Sequence, residues 1–311
     1  MRITNGSMMN SYLREVQNNL QTMDKLNTQL NTTKQVNKIS DDPLKTIKIL
    51  NLNNEIEDVE KYNYNCDEIT GWLDLTDEAL GSISNLSSDI KTLLTSISGT
   101  FGKEEIKAVQ TQVNEKIKQI GEAMNTTYAG KYIFGGSITD EAPVKIETDK
   151  DGNVALIVNN PGESKLDDKL NTVISSGITV DYNLTLNEIT KTNGKETGST
   201  SGLELLGELS KKLNEDPINM EAIGKLSKDL DGYMNDILNN RSIVGARTNT
   251  VEQVKDNNDN NILEMKGALS VTQDVNVTEK FIELKSAEMV YNASLQVSSK
   301  LFNTTILDYL R

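Results

Sequence analysis

The chain has 311 residues, 36% of them hydrophobic and 25% charged, with 46 acidic against 32 basic side chains and a formal charge of −14. It contains no histidine and a single cysteine, Cys66. These absences exclude the Ser-His-Asp and Cys-His nucleophile systems, an internal disulfide and any cysteine-based zinc site.

Aromatics make up 5% of the chain and there are four prolines, which disfavours an all-β sandwich, while asparagine occurs 35 times. A polar, acidic, mainly helical chain with little catalytic equipment is expected, and nothing in it calls for a cofactor. The acidic balance argues against nucleic acid, which needs a basic face. No run of about 18 apolar residues exists, so no membrane insertion is expected. The opening Met1-Arg2-Ile3-Thr4-Asn5-Gly6 has no apolar core of the secretory-signal kind. The charge is uneven. Residues 1–50 carry seven basic and four acidic side chains, residues 277–311 carry four of each, and the stretch between them holds −17. Weakly charged ends suit packing against further copies, and a strongly charged middle suits water.

The first segment, residues 7–37, predicts a helix. Leu13, Val16, Leu20, Met23 and Leu30 recur at steps of 3, 4, 3 and 7, with Asn27 at the skipped position, which is a heptad seam with one polar interruption. Ser40-Asp41-Asp42-Pro43 then punctuates the chain, with Asp42 as N-cap and Pro43 in the first helical turn. Helices are predicted over 43–63, over 65–98 with Trp72 on its apolar side, and over 103–127. Ser98-Gly99-Thr100 is the expected break between the last two. At Tyr128 the period changes, and Lys131 to Gly136 reads as a strand with a glycine exit. Residues 144–148 and 154–158, separated by a turn at 149–153, predict a β-hairpin. Residues 172–180 and 181–186 add candidate strands, and 192–202 reads as a linker. Helices resume over 203–214, 219–240 and 243–310, with a division expected near Asp274-Val275-Asn276. The last stretch mirrors the first: Phe281, Leu284, Ala287, Tyr291, Leu295, Leu301 and Phe302, then Ile306 and Leu307, form a one-sided strip.

The fold class predicted is therefore mainly α: a long antiparallel helical bundle or coiled coil, its N- and C-terminal helices paired, with a small β-rich insert. The expected organisation is residues 1–42 with 276–311 as a terminal coiled-coil assembly domain. Residues 43–135 with 201–275 form a helical bundle, and 136–200 an outer insert and linker. A two-helix pair cannot enclose both apolar strips, so both ends are expected to be largely disordered or loosely helical in the free subunit and to order when neighbouring copies enclose them.

Competing chemical readings are weak. Asp149, Asp151 and Asn153 have the opening spacing of a calcium loop, but Val154 stands where that loop needs glycine and Asn160 where it needs a bidentate glutamate. Asp74, Asp77 and Glu78 invite comparison with a glycosidase acid pair, yet on a helix among 46 acids they read as a solvated face. Trp72 and Cys66 read as packing residues.

Several segments carry a resemblance to a known family. Met1-Arg2-Ile3-Thr4 followed by Met8 and Met9, the Ser40–Pro43 loop, and the run from Asn125 through Tyr132-Ile133-Phe134-Gly135-Gly136 to Ala142-Pro143 are similar to the flagellin superfamily. So is Val244-Gly245-Ala246-Arg247-Thr248-Asn249, read as the turn that opens its C-terminal helix, with Gly245 and Ala246 small enough for close helix approach. Val144 departs from the aromatic residue that commonly follows the proline.

The resemblance covers about 1–143 and 240–311, and within the superfamily the Tyr132–Gly136 run favours the branch that joins hook to filament over the filament subunit itself. It implies a structural, non-enzymatic subunit outside the cell, exported by the flagellar type III route and held beforehand by a chaperone on its C-terminal helix. The subunit would form a ring of its own copies between the other hook-associated junction protein and flagellin. A cytoplasmic coiled-coil scaffold is the more distant alternative.

Overall fold

The structure is a computed structural model. It describes the backbone of residues 5–97, 102–159, 164–192 and 201–307, and the side chains of those ranges apart from 5–6, 164 and 300–307. In chain order the described residues form helices α1 (Asn5–Thr32), α2 (Pro43–Ser96) and α3 (Lys103–Met124), then strands β1 (Thr127–Tyr128), β2 (Lys131–Tyr132), β3 (Val144–Thr148) and β4 (Val154–Val158). A 3-10 turn at Ser164–Asp167 leads to β5 (Asn171–Ser175) and β6 (Ile178–Asp181), after which come α4 (Leu186–Thr190), α5 (Gly202–Leu213), α6 (Met220–Gln273) and α7 (Val277–Leu307). The expectation of a mainly helical chain with a small β insert holds. The break expected at 98–100 and most of the expected linker, 193–200, lie outside the described residues.

Two helix boundaries differ from the sequence reading at asparagines. The division expected near residue 64 is absent, and α2 runs unbroken for 54 residues. Asparagine weakens helices when its side chain competes for the local backbone. Here Asn63 donates instead to the Asp259 carboxylate (2.6 Å) and Asn65 to the carbonyl of Val173 (2.9 Å). The division expected near 241 is absent for the same reason. Asn240 donates to the Glu188 carbonyl, Arg241 is occupied by Asp77, and α6 continues to Gln273. Val244–Asn249 therefore lies inside a helix and is no turn. Gly245 and Ala246 are exposed, and a Cβ added at Gly245 meets no atom within 4 Å, so no close approach within the chain depends on it. The division at 274–276 is present, and α1 stops at Thr32, five residues before the predicted end.

The chain divides into two compact units, Met1–Asp58 with Asn260–Arg311, and Val59–Asp259. In the second, apolar positions of α2, α3, α5 and α6 converge on one core with Leu73, Leu80, Ile83, Ile117, Ile120 and Tyr233 fully buried. Trp72 sits in this core with its ring edge-on to Tyr128 (centroids 5.9 Å) and Tyr182 (5.4 Å), and Cys66 is wholly enclosed.

Three antiparallel two-stranded hairpins dock on these helices. The β3–β4 hairpin has the predicted register, Val144 opposite Val158 and Thr148 opposite Val154. It packs closely on α3, where a Cβ at Gly121 would stand 2.7 Å from the Leu156 side chain. Buried amides and hydroxyls fasten it. Asn125 accepts from the Val144 N–H and donates to its carbonyl, while Ser210 accepts from Val154 N–H and donates to Asn114. The candidate strands over 172–186 resolve differently, as the β5–β6 hairpin turning at Gly177 (φ +78°) and then α4.

Candidate functional site

Within the first unit, α1 and α7 lie antiparallel. The Tyr12 hydroxyl donates to the Ser294 carbonyl (2.8 Å), and the Asn19 amide to that of Ala287 (3.1 Å). Among the shielded residues of α1, Tyr12, Val16, Asn19, Met23, Leu26 and Leu30 are spaced 4, 3, 4, 3 and 4, with Thr28 and Gln29 also shielded near its end. On α7, Lys280, Leu284, Ala287, Tyr291, Ser294 and Ser298 have the same spacing, with Glu283 and Glu288 half-buried beside them. Both are heptad seams. Of the predicted strip, Val16, Met23 and Leu30 lie in the seam on α1, and Leu284 and Tyr291 on α7. Leu13 and Leu20 stand beside it, 49% and 44% exposed, as do Phe281 and Leu295 at 52% and 47%. The side chains of Leu301 and Phe302 lie outside the described residues. Leu26, the most buried apolar residue of α1, was not among the predicted positions, and Asn27 is exposed.

The helices carry more apolar surface than this pairing uses. On α7, Ile282 and Met289 recur seven residues apart, as do Val290 and Val297, and all four are exposed. At 3.6 residues per turn the Ile282 and Met289 row points away from the α1 seam, while Val290 and Val297 flank it on one side and Val277, Phe281 and Leu295 on the other. A helix apolar on every side is one that is surrounded, and α1 is the helix of its own chain that α7 packs against. Further exposed groups stand at the start of α2, namely Leu44, Ile47 and Leu50, and at the end of α6, namely Leu263 and Val271. Among the described residues the first unit buries five hydrophobic side chains and exposes 17 large ones, whereas the second buries 37 and exposes seven. The seven-residue recurrence of Ile282 with Met289 and of Val290 with Val297 is legible in the sequence and was passed over.

The loop between α1 and α2 is built on its aspartates. Asp42 caps α2 by accepting from the Lys45 N–H (3.0 Å), and Pro43 is its first residue, as predicted. Asp41 accepts from the N–H groups of Lys38 (3.0 Å) and Asn37 and pairs with Lys25 (3.4 Å). The hydrogen bond from Lys38, with the Lys25 charge, holds its carboxyl below the usual carboxylate range. Ser40 is exposed.

In the second unit the Lys131–Gly136 run is a strand only at Lys131–Tyr132. The chain has already reversed at Ala129 (φ +48°) and Gly130 (φ +81°), a two-residue hairpin turn with both central residues left-handed. Ile133 and Phe134 then drop into the core. Gly135 and Gly136 pass so close to neighbouring backbone that an added Cβ would lie 2.1 Å from the Ile138 oxygen and 2.4 Å from the Leu166 oxygen, respectively.

The competing chemical sites dissolve into structure. Asp77 is held by both nitrogens of an Arg241 fork (2.8 Å each), which lowers its carboxyl pKa, while Asp74 and Glu78 are exposed. Residues 149–153 form a hairpin turn closed by the Asp149 N–H on the Asn153 carbonyl (2.8 Å). Among the described residues no group of three acidic or thiol side chains is placed to hold a metal ion, and no helix is long and apolar enough to cross a membrane.

Residues 3–139 match the bacterial flagellin N-terminal helical region. Comparison with curated proteins gives no match. Among solved structures the chain is similar to a flagellar hook-associated protein from Vibrio parahaemolyticus, with a TM-score of 0.64 at 22% identity, over 75% of this chain and 99% of that one. It is similar to flagellar hook-associated protein 3 from Legionella pneumophila, with a TM-score of 0.60 at 12% identity, over 71% and 98%. It also resembles FlgL from Bacillus cereus, with a TM-score of 0.51 at 17% identity, over 72% and 99%. Residues 3–139 thus resemble the flagellin N-terminal helical region, and the chain shares the fold of these hook-associated proteins.

Proposed function

We propose that this chain is a non-catalytic structural subunit of the bacterial flagellum, set at the junction between hook and filament and built into a ring of its own copies. The observation that carries this reading is the surplus of exposed apolar side chains on α1, α2, α6 and α7 over those the first unit buries. Each half-exposed side chain enclosed by a neighbour contributes about 1 kcal/mol, so enclosing most of the 17 offsets an association cost of about 4–15 kcal/mol. Residues 1–42 and 276–311 form the assembly domain, and their helices complete their order as copies close around them. The adjoining partners are the other hook-associated junction protein on one side and flagellin on the other. The subunit reaches the exterior through flagellar type III export with a chaperone on α7. The hook-associated fold and the 3–139 match support this placement.

The test pairs Leu20→Asp with Leu295→Asp in the full chain. Ring or filament-base assembly is expected to fail while the second unit unfolds at an unchanged midpoint. Wild-type assembly by this double variant would sink the proposal. A strain lacking the chain should keep a full hook and shed filament subunits into the medium. Loss of the filament protein itself, with every junction protein in place, would assign the chain to the filament instead.

A further inference from the structure

We propose that a pocket between α2 and the β1–β2 and β5–β6 hairpins binds a single sugar ring of the pyranose class. The pocket lies wholly within the second unit and encloses about 310 Å³, at the small end of the range for ligand sites. One face of α2 supplies its base, because Asn65, Glu68, Ile69 and Trp72 stand at i, i+3, i+4 and i+7. Two reversals build the walls. Tyr128 and Lys131 are cross-strand partners, so the left-handed turn at Ala129 and Gly130 delivers an aromatic ring and an ammonium group to the same side of the β1–β2 hairpin. Leu170 and Tyr182 face each other just beyond β5 and β6, joined by the Tyr182 N–H on the Leu170 carbonyl (3.0 Å), and Thr172 follows two residues on.

Three aromatic rings meet at the base. The planes of Tyr128 and Tyr182 are inclined at 67° and 86° to that of Trp72. Trp72 is buried and the two tyrosines are half-buried, so tyrosine is the aromatic surface a ligand meets. Gly71 makes room for this arrangement, since a Cβ there would stand 2.7 Å from the Tyr128 hydroxyl. The rim is polar and its groups are uncommitted. The exposed side chains of Glu68 and Lys131 make no ion pair or hydrogen bond among the described residues, and the hydroxyls of Thr172, Tyr128 and Tyr182 have no hydrogen-bond partner there. Burial, then the nearby Glu68 charge, pushes the Tyr128 pKa up, so the carboxylate stands close to the phenol.

One carboxylate and one ammonium leave this rim without net charge, so it selects neither an anion nor a cation. It sets acceptors beside donors, which a ring of hydroxyl groups, each both donating and accepting, matches at several points. The C–H face of the same ring suits the half-buried tyrosines and Ile69. A pyranose presents both surfaces at once. The inference stands apart from the assembly reading, because no residue of the pocket belongs to the first unit.

Trp72, the only tryptophan, lines the pocket and reports on it. Methyl β-glucoside, methyl β-galactoside and N-acetylglucosamine are titrated singly into the full chain, with indole fluorescence and saturation-transfer NMR of the sugar protons as readouts. At least one should bind saturably, with half-saturation at about 1 mM for a ligand of about a dozen non-hydrogen atoms. Glycerol and free phenylalanine, an open polyol and a zwitterion, should not saturate. Glu68→Ala and Lys131→Ala should each weaken binding about tenfold through loss of a charged hydrogen bond. Both side chains are exposed, so the urea midpoint should stay in place, which separates a lost contact from a lost fold. Absence of a saturation-transfer signal from all three sugars would overturn the proposal. So would sugar binding that neither substitution weakens, or saturation by glycerol or phenylalanine where the sugars fail.

Discussion

Three glycines of the second unit separate two costs that are usually mixed. At Gly152 the backbone is left-handed (φ +81°) and an added Cβ meets nothing within 4 Å. At Gly135 φ is ordinary, but the Cβ would fall 2.1 Å from the Ile138 oxygen. At Gly136 both hold, with φ +63° and backbone oxygens of Leu166 and Lys165 at 2.4 and 2.5 Å. A left-handed alanine costs about 1–2 kcal/mol, offset by about 0.4–1 kcal/mol from a stiffer unfolded chain, so Gly152→Ala should lose about 1 kcal/mol. Gly135→Ala carries overpacking of about 1–3 kcal/mol and threatens the Ile138 N–H bond to the Gly135 carbonyl (3.0 Å), for about 2–3 kcal/mol in all. Gly136→Ala adds the left-handed cost to a clash that pushes apart the Ser137–Lys165 backbone bond (2.9 Å), giving about 3–5 kcal/mol. Trp72 is the only tryptophan and is stacked against Tyr128 of the adjoining hairpin, so its fluorescence in a urea titration reports this unit. The midpoints should fall in the order Gly152→Ala, Gly135→Ala, Gly136→Ala at constant slope. A Gly136→Ala protein no weaker than Gly152→Ala would show that the backbone approach is not what demands glycine.

Among the described residues the buried Tyr233 hydroxyl has no hydrogen-bond partner, and burial pushes its pKa up. Tyr233→Phe should therefore be neutral or stabilising by up to about 1 kcal/mol in the same titration, and a clear loss would contradict the orphaned hydroxyl. Ala129 occupies a left-handed turn position that asparagine tolerates better, so Ala129→Asn should raise the midpoint by about 0.5–1 kcal/mol. Since Arg241 lowers the Asp77 pKa, that pair adds stability above the unfolded carboxylate value near 4, and the contribution fades as pH falls through the folded value. With both side chains more than a third exposed the gain is under about 1 kcal/mol, and Arg241→Gln should flatten the acid limb of the stability curve by no more than that.

The period of the terminal helices was legible in the sequence, and their phase was not. Counting leucines placed Leu13 and Leu20 on the α1 seam, yet the pairing turns toward Tyr12, Asn19 and Leu26, because a tyrosine hydroxyl and an asparagine amide bond carbonyls of α7 there. A hydrophobic pattern cannot register such a contact. The β3–β4 hairpin was read to the residue, since its alternation and turn are local. The β1–β2 reversal was missed because alanine stands at the first turn position, where asparagine or glycine would announce it. The false helix breaks near residues 64 and 241 share one cause. Whether an asparagine caps, breaks or clamps depends on a partner up to 196 positions away, in the bond from Asn63 to Asp259.

That clamping accounts for much of the asparagine in the second unit. Asn65, Asn114, Asn125, Asn183 and Asn258 each send an amide to a backbone carbonyl of a hairpin or the loop beside it, fastening short strands that have too little apolar surface to hold themselves. This unit is closed: its polar groups are largely matched inside the chain and its apolar groups are mostly covered. The first unit inverts both properties. Its near-neutral ends carry apolar rows that its own two-helix seam leaves open, while the middle of the chain, residues 51–276, holds −17. Like charges there discourage copies from meeting through their middles, and the ends offer no such resistance. Association is thereby directed to one part of the molecule by what that part lacks.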